Sequence, residues 1–239
     1  MKTFKVLGSI FRPTASALTL GLGSFSIGLA APSMTVSRAN LCVTEGVIEE
    51  LSGTRLSVDA DKMRAYLNTP TRQSVDAHFT YVGPTETEAR LGSGELRRQF
   101  GLKLRAQDAC NLVYVMWRIQ PASRLVVSVK SNPQKHQSSQ CGNRGYRNIK
   151  PRRAAEVGGL SPGESRTLRA EMNGAELRVF VDKSLVWEGS LGSEVLALEG
   201  PVGIRSDNAR LVIELHAGEP LGAAAQHPTA CRAGSEDTE

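Results

Sequence analysis

The sequence predicts an all-β fold, a sandwich or barrel of antiparallel strands, and three observations lead there. Apolar residues past position 40 alternate with polar ones instead of recurring at helical spacing, as in Glu176-Leu177-Arg178-Val179. Turn-forming residues interrupt these runs at intervals of about eight to twelve residues. Among them are Gly83-Pro84, Gly92-Ser93-Gly94, Pro121-Ala122-Ser123, Pro162-Gly163, Asn173-Gly174 and Asp207-Asn208. The composition is that of a turn-rich globular chain, with 40% hydrophobic and 22% charged residues, 23 Gly and 11 Pro in 239 residues. That is long enough to close a large core and too apolar for wholesale disorder.

In chain order, Lys2, Lys5 and Arg12 precede an uncharged, mildly apolar stretch over residues 14–31 that ends in small residues. A basic start, an apolar middle and small residues before the cut are the parts of an export signal. Residues 1–39 are therefore read as a signal peptide, cleaved between residues 30 and 39, after Ala30, Ala31 or Ala39. The stretch is short and rich in Ser, Thr and Gly for a retained membrane span. No span is expected in the mature chain, which is placed in the periplasm or outside the cell. One sandwich domain follows over residues 40–217, with strands expected at 43–49, 54–58, 62–67, 74–82, 96–106, 112–119, 124–130, 165–172, 176–181, 185–188, 202–205 and 210–215. Asn173-Gly174, set between two alternating runs, is the clearest hairpin signal. Residues 131–162 form the one long irregular stretch, and residues 218–239 a small, polar, low-complexity tail.

The four cysteines, Cys42, Cys110, Cys141 and Cys231, all lie beyond the cleavage region. An even count in an oxidising compartment reads as two disulfides, and no Cys-x-x-Cys spacing suggests a metal site. Three pairings are open. The segments between Cys110 and Cys141 read as neighbouring strands and a loop, which favours that pair and leaves Cys42–Cys231 to tie the chain ends together.

A more specific signal lies in residues 165–191, SRTLRAEMNGAELRVFVDKSLVWEGSL, and 199–215, EGPVGIRSDNARLVIEL. A strand, an Asn-Gly turn, a strand ending in Val-Asp, a short strand, Gly-Pro-Val-Gly-Ile-Arg and a closing strand follow one another. This succession resembles the concanavalin A-like lectin/glucanase superfamily, and within it the laminin G-like jelly rolls of secreted bacterial proteins. The resemblance implies a two-sheet antiparallel jelly-roll sandwich with a concave face that often binds glycans. The superfamily's enzyme motifs are missing. Glu45, Glu49 and Glu50 do not give the Glu-x-Asp-x-x-Glu spacing of its hydrolases, and Glu86 and Glu88 have no third partner. Nothing matches the Arg-x-Glu-x-Arg or Gln-Ile-His runs of jelly-roll alginate lyases. Such folds host lectins, hydrolases, lyases and adhesion modules alike. No catalytic residue, metal set or cofactor is assigned; calcium at Asp207 and Asn208 competes with a simple turn there.

The formal charge of +5 is polarised. Residues 1–39 carry four cations and no acid, residues 109–155 nine cations and no acid, and the remainder sums to −8. Alternation sends Arg105, Tyr114, Arg118 and Lys130 to the face away from the core, joined by Arg178 if its strand shares the sheet. Trp117 and Trp187 are assigned to the core. A tyrosine ring among guanidiniums suits stacking on a sugar while forked donors grip carboxylate or sulfate. Arg144 and Tyr146, in the long loop, extend this face to a rim. The competing reading is a solvated sheet face whose cations discourage edge pairing. Interleaved Tyr and Arg also suit single-stranded nucleic acid, but export and the acidic remainder argue against it. The expected function is a secreted, non-catalytic carbohydrate-binding module for an acidic polysaccharide. A polysaccharide hydrolase or lyase on the same scaffold, and a structural or adhesion module of the envelope, are the alternatives.

Overall fold

A computed structural model describes residues 33–221, with Met1 and Thr3. The expected signal peptide and C-terminal tail therefore fall largely outside the described residues, as does Cys231 and with it the expected Cys42–Cys231 pair. The strands are β1 (Ser33–Val36), β2 (Leu41–Glu45), β3 (Glu49–Ser52), β4 (Arg55–Val58), β5 (Lys62–Leu67), β6 (Ser74–Pro84), β7 (Arg98–Leu104) and β8 (Leu112–Gln120). They continue with β9 (Arg124–Lys130), β10 (Tyr146–Asn148), β11 (Arg153–Ala154), β12 (Ser165–Asn173), β13 (Glu176–Val181), β14 (Ser184–Ser190), β15 (Gly203–Asp207) and β16 (Ala209–Gly218). The one α-helix among the described residues is a single turn, α1 (Ser138–Cys141).

Two antiparallel sheets form. The larger runs β11-β14-β13-β12-β6-β16-β4-β3, with β1 also on β16; the smaller runs β10-β9-β8-β7-β15-β5-β2. β1 and β4 share one edge of β16 end to end, β1 against residues 215–218 and β4 against 211–214. Alternation aims one face of each sheet at the other, and the facing residues make the core. Phe79 of the larger sheet lies 4.7 Å from Phe100 and edge-on to Trp117, 5.9 Å away, both in the smaller sheet. Trp117 is buried as expected, and its indole N–H donates to Ser123 Oγ at 3.0 Å, whose hydroxyl donates to the Gly158 carbonyl. The polar end of this core tryptophan is thereby satisfied. Among the described residues no helix is long and apolar enough to cross a membrane.

The expected strands are present, with local departures that have identifiable causes. The run over 43–49 is two strands in different sheets. The chain changes sheets at Gly46, where φ is +72° and a Cβ would lie 2.1 Å from the Lys62 carbonyl oxygen, so only glycine fits. Gly83-Pro84 is no turn: β6 runs through it, and the ladder with β16 shifts register between Arg210 and Leu211 beside it. The stretch over 131–162 is less irregular than its composition suggests, because β10 adds to the edge of the smaller sheet and β11 to that of the larger. The Asn173-Gly174 hairpin forms with Asn173 opposite Glu176.

Cys110 and Cys141 are bonded, closing a loop across a sequence separation of 31. Replacing both with Ala is expected to cost about 3–4 kcal/mol through the freed loop entropy of the unfolded chain. A urea titration of the double variant reads this directly; an unchanged midpoint would mean that the loop is restrained by other contacts.

Candidate functional site

The outer face of the smaller sheet is built from cross-strand rows. In one, Asp207, Gln99, Arg118 and Arg124 lie side by side across β15, β7, β8 and β9. In the next, Arg205, Gly101, Met116 and Val126 do so, and in a third Lys103, Tyr114, Ser128 and Asn148. Gly101 lets Met116 pack over its bare backbone: a Cβ there would meet Met116 Sδ at 2.5 Å. The Arg205 guanidinium lies over Tyr114, with its Cζ 5.2 Å from the ring centroid. Tyr114 stacks on Tyr146 at 6.0 Å, and Lys130 Nζ sits 5.0 Å from the Tyr146 centroid. Two cations thus bracket two stacked rings, with Tyr146 exposed and the others buried.

On the same face, continuous with this layer through Arg205, lies a buried charge cluster. Asp207, with no exposed surface, accepts from Arg64 Nη2 at 2.6 Å, Gln99 Nε2 at 2.6 Å and Arg205 Nε at 3.0 Å. Burial alone would push its carboxyl up, but the two guanidiniums and these hydrogen bonds outweigh that and hold it well below the usual carboxylate range. Burial would likewise push Arg205 down, and Asp207 beside it keeps it charged.

At the mouth the balance reverses. Arg97, Arg118 and Arg124 gather; Arg97 meets Glu95, whereas neither Arg118 nor Arg124 pairs with a carboxylate among the described residues. Arg118 Nε is buried without a hydrogen-bond partner among the described residues. Loss of water, with repulsion from Arg97 and Arg124 added, pushes the Arg118 guanidinium down to about 10. It remains a cation at neutral pH, held against its own solvation and directly opposite another one, an arrangement that an anion would relieve. The pocket encloses about 260 Å³ above Gln99, Tyr114 and Met116, with Arg118, Arg205 and Tyr146 around it.

Of the residues expected at a site, Tyr114, Arg118, Lys130 and Tyr146 come together here. Arg105 does not: its φ of +46° ends β7 and breaks the alternation, and its Nη1 donates to the Leu198 carbonyl instead. Arg178 lies in the other sheet on β13, paired with Glu171 and over Phe180. Arg144 is exposed in the loop after α1 and does not line the pocket. The expected turn at Asp207 and Asn208 joins β15 to β16 and is buried. Asp207 is engaged by cations, while the Asn208 amide donates to the carbonyls of Ala89 and Arg97, so neither offers a set of free oxygens to calcium. Sequence reasoning missed Gln99, Arg205 and the loop residues Arg97 and Asn143. The alternation of Ile204 with Gly203 and Arg205 carried a signal for Arg205, obscured by reading the strand as ending there.

Fold and site together define a class: a two-sheet antiparallel sandwich resembling the concanavalin A-like jelly rolls, with a cationic, aromatic pocket on one outer face. Among solved structures, the carbohydrate-binding module CBM66 from Bacillus subtilis superposes with a TM-score of 0.50 at 14% identity, covering 73% of this chain and 91% of that one. The carbohydrate recognition domain of Emp46p gives 0.46 at 9%, covering 77% and 90%. A β-1,3-glucanase from Mycobacterium marinum gives 0.40 at 11%, covering 69% and 73%. These likenesses are of fold. No protein-family model and no curated protein matches the chain.

Proposed function

We propose that the protein is an exported, non-catalytic module that binds an anionic carbohydrate on the outer face of its smaller sheet. The observation that carries this reading is the unpaired, half-buried Arg118 set opposite Arg124 at the mouth of a tyrosine-lined pocket. Stacked rings offer a flat apolar surface to a sugar, and the guanidinium forks match carboxylate or sulfate oxygens. Binding is favoured over hydrolysis because no Asp or Glu is among the residues lining the pocket, and glycoside hydrolysis ordinarily needs two carboxyls there. Export is supported by the basic start and uncharged stretch of residues 1–31 and by the Cys110–Cys141 disulfide.

The test is a glycan array probed with residues 33–239 at low and high salt. Uronate and sulfated glycans should be retained and released as salt rises, because contacts at the mouth are exposed enough to be screened. Retention of neutral glycans only, or of none, would overturn the reading.

A further inference from the structure

The two loops that frame the pocket come from opposite ends of the sheet. β7 begins at Arg98, opposite Gln120, and residues 85–97 lead into that end. β9 finishes at Lys130, opposite Leu112, and residues 131–145 leave from the other end. Their tips nevertheless meet. A Cβ on Gly92 would lie 2.7 Å from Asn143 Nδ2, so the Asn143 amide rests against the bare backbone of the first loop. Leu91, Ser93 and Asn143 all line the pocket. The loops therefore form an arch along the strand direction, over a floor of Gln99, Tyr114 and Met116.

Both legs of the arch are fixed. In the first, Asn208 Nδ2 donates to the Ala89 and Arg97 carbonyls, its Oδ1 accepts from the Ala89 amide, and Glu88 grips Arg98 through both oxygens. In the second, the Cys110–Cys141 disulfide closes the base, and Asn132 Nδ2 donates to the carbonyls of Cys110 and Arg144. Asn111 spans the same leg, donating to the Lys135 carbonyl and accepting from the Asn132 amide. Such a roof is part of the folded structure rather than something assembled around a ligand.

A long chain lying along the strands would have to pass through these legs. Under the arch there is about 260 Å³, below the range of about 300–1,000 Å³ that encloses a drug-sized molecule. Arg118, at the rim, also lines a neighbouring cleft toward Ile149, Pro151 and Trp187 and another toward Leu96 and Pro121. We propose that the site takes the end of an anionic glycan chain, one terminal sugar under the Gly92–Asn143 arch with its acidic group at Arg118, and not a run of internal units. This rests on the binding function proposed above and narrows its ligand to chain ends.

The experiment is calorimetric titration of residues 33–239 with oligogalacturonates, oligomannuronates and chondroitin sulfate fragments of increasing length, and with the corresponding long polymers. In the series that binds, affinity per chain should change by less than about threefold between the shortest fragment and the polymer, and each polymer chain should carry one protein molecule per recognised end. Asn143→Ala, which opens the arch without touching an arginine, should weaken the shortest fragment about as much as the polymer. Many protein molecules on one polymer chain, or affinity rising steadily with length, would overturn chain-end recognition while leaving the binding function standing. No heat with any series at low salt would overturn both.

Discussion

Asp207→Asn is expected to lower the unfolding free energy by about 3–5 kcal/mol. The replacement keeps the shape of the side chain, so lost packing is not the cause. Arg64 and Arg205 would remain buried with their shared negative partner gone, and an uncompensated buried charge is what makes such changes costly. The pH dependence gives a second signature. A carboxyl held below its unfolded pKa contributes stability that is complete above about pH 4 and disappears as pH falls toward the folded value. The gap between wild type and variant in urea should therefore be constant from neutral pH to about pH 5 and should narrow below about pH 4. A gap of the same size at pH 3 and pH 7 would show that the loss came from geometry instead of charge.

Arg118→Ala should weaken the anionic ligand by about tenfold to a hundredfold, the loss of one charge-assisted, forked contact. Its effect on the free protein should be neutral or slightly stabilising, because it removes a partly desolvated cation facing Arg124. Opposite signs for binding and stability separate a recognition residue from a structural one. Arg118→Lys restores the charge without the planar fork and should recover only part of the affinity. Calorimetry and a thermal melt on the same preparations read both quantities. A variant that loses stability and affinity together would place Arg118 in the scaffold.

The fold was legible because sheet periodicity is a local property. The alternation that put Val113, Val115 and Trp117 inside needs no knowledge of the partner strand, and the face bearing Tyr114, Arg118 and Lys130 followed from it. Arg178 shows where this stops: its direction relative to its own strand was correct, but which sheet β13 joins depends on pairing, and β13 lies beside β12 and β14. Arg105 fails for another reason, since one residue at positive φ ends the period. The turn expected at Asp207-Asn208 is there, with Asn208 at φ +54° between β15 and β16, but the burial of Asp207 as an anion depends on Arg64, distant in sequence, as well as on Arg205 of its own strand. The arch was invisible because Gly92 and Asn143 are brought together only when the two sheet ends are placed.

The pairing of β1 with residues 215–218 gives the expected cleavage positions unequal structural consequences. A cut after Ala30 or Ala31 leaves Ser33–Val36 on the chain, with the fully buried Val36 against the core. A cut after Ala39 removes that strand, uncovers apolar surface and leaves part of the β16 edge unpaired, open to another chain's backbone. Were residues 1–39 removed as an export signal is, the choice of peptide bond would also be a choice between a sealed sheet margin and an adhesive one.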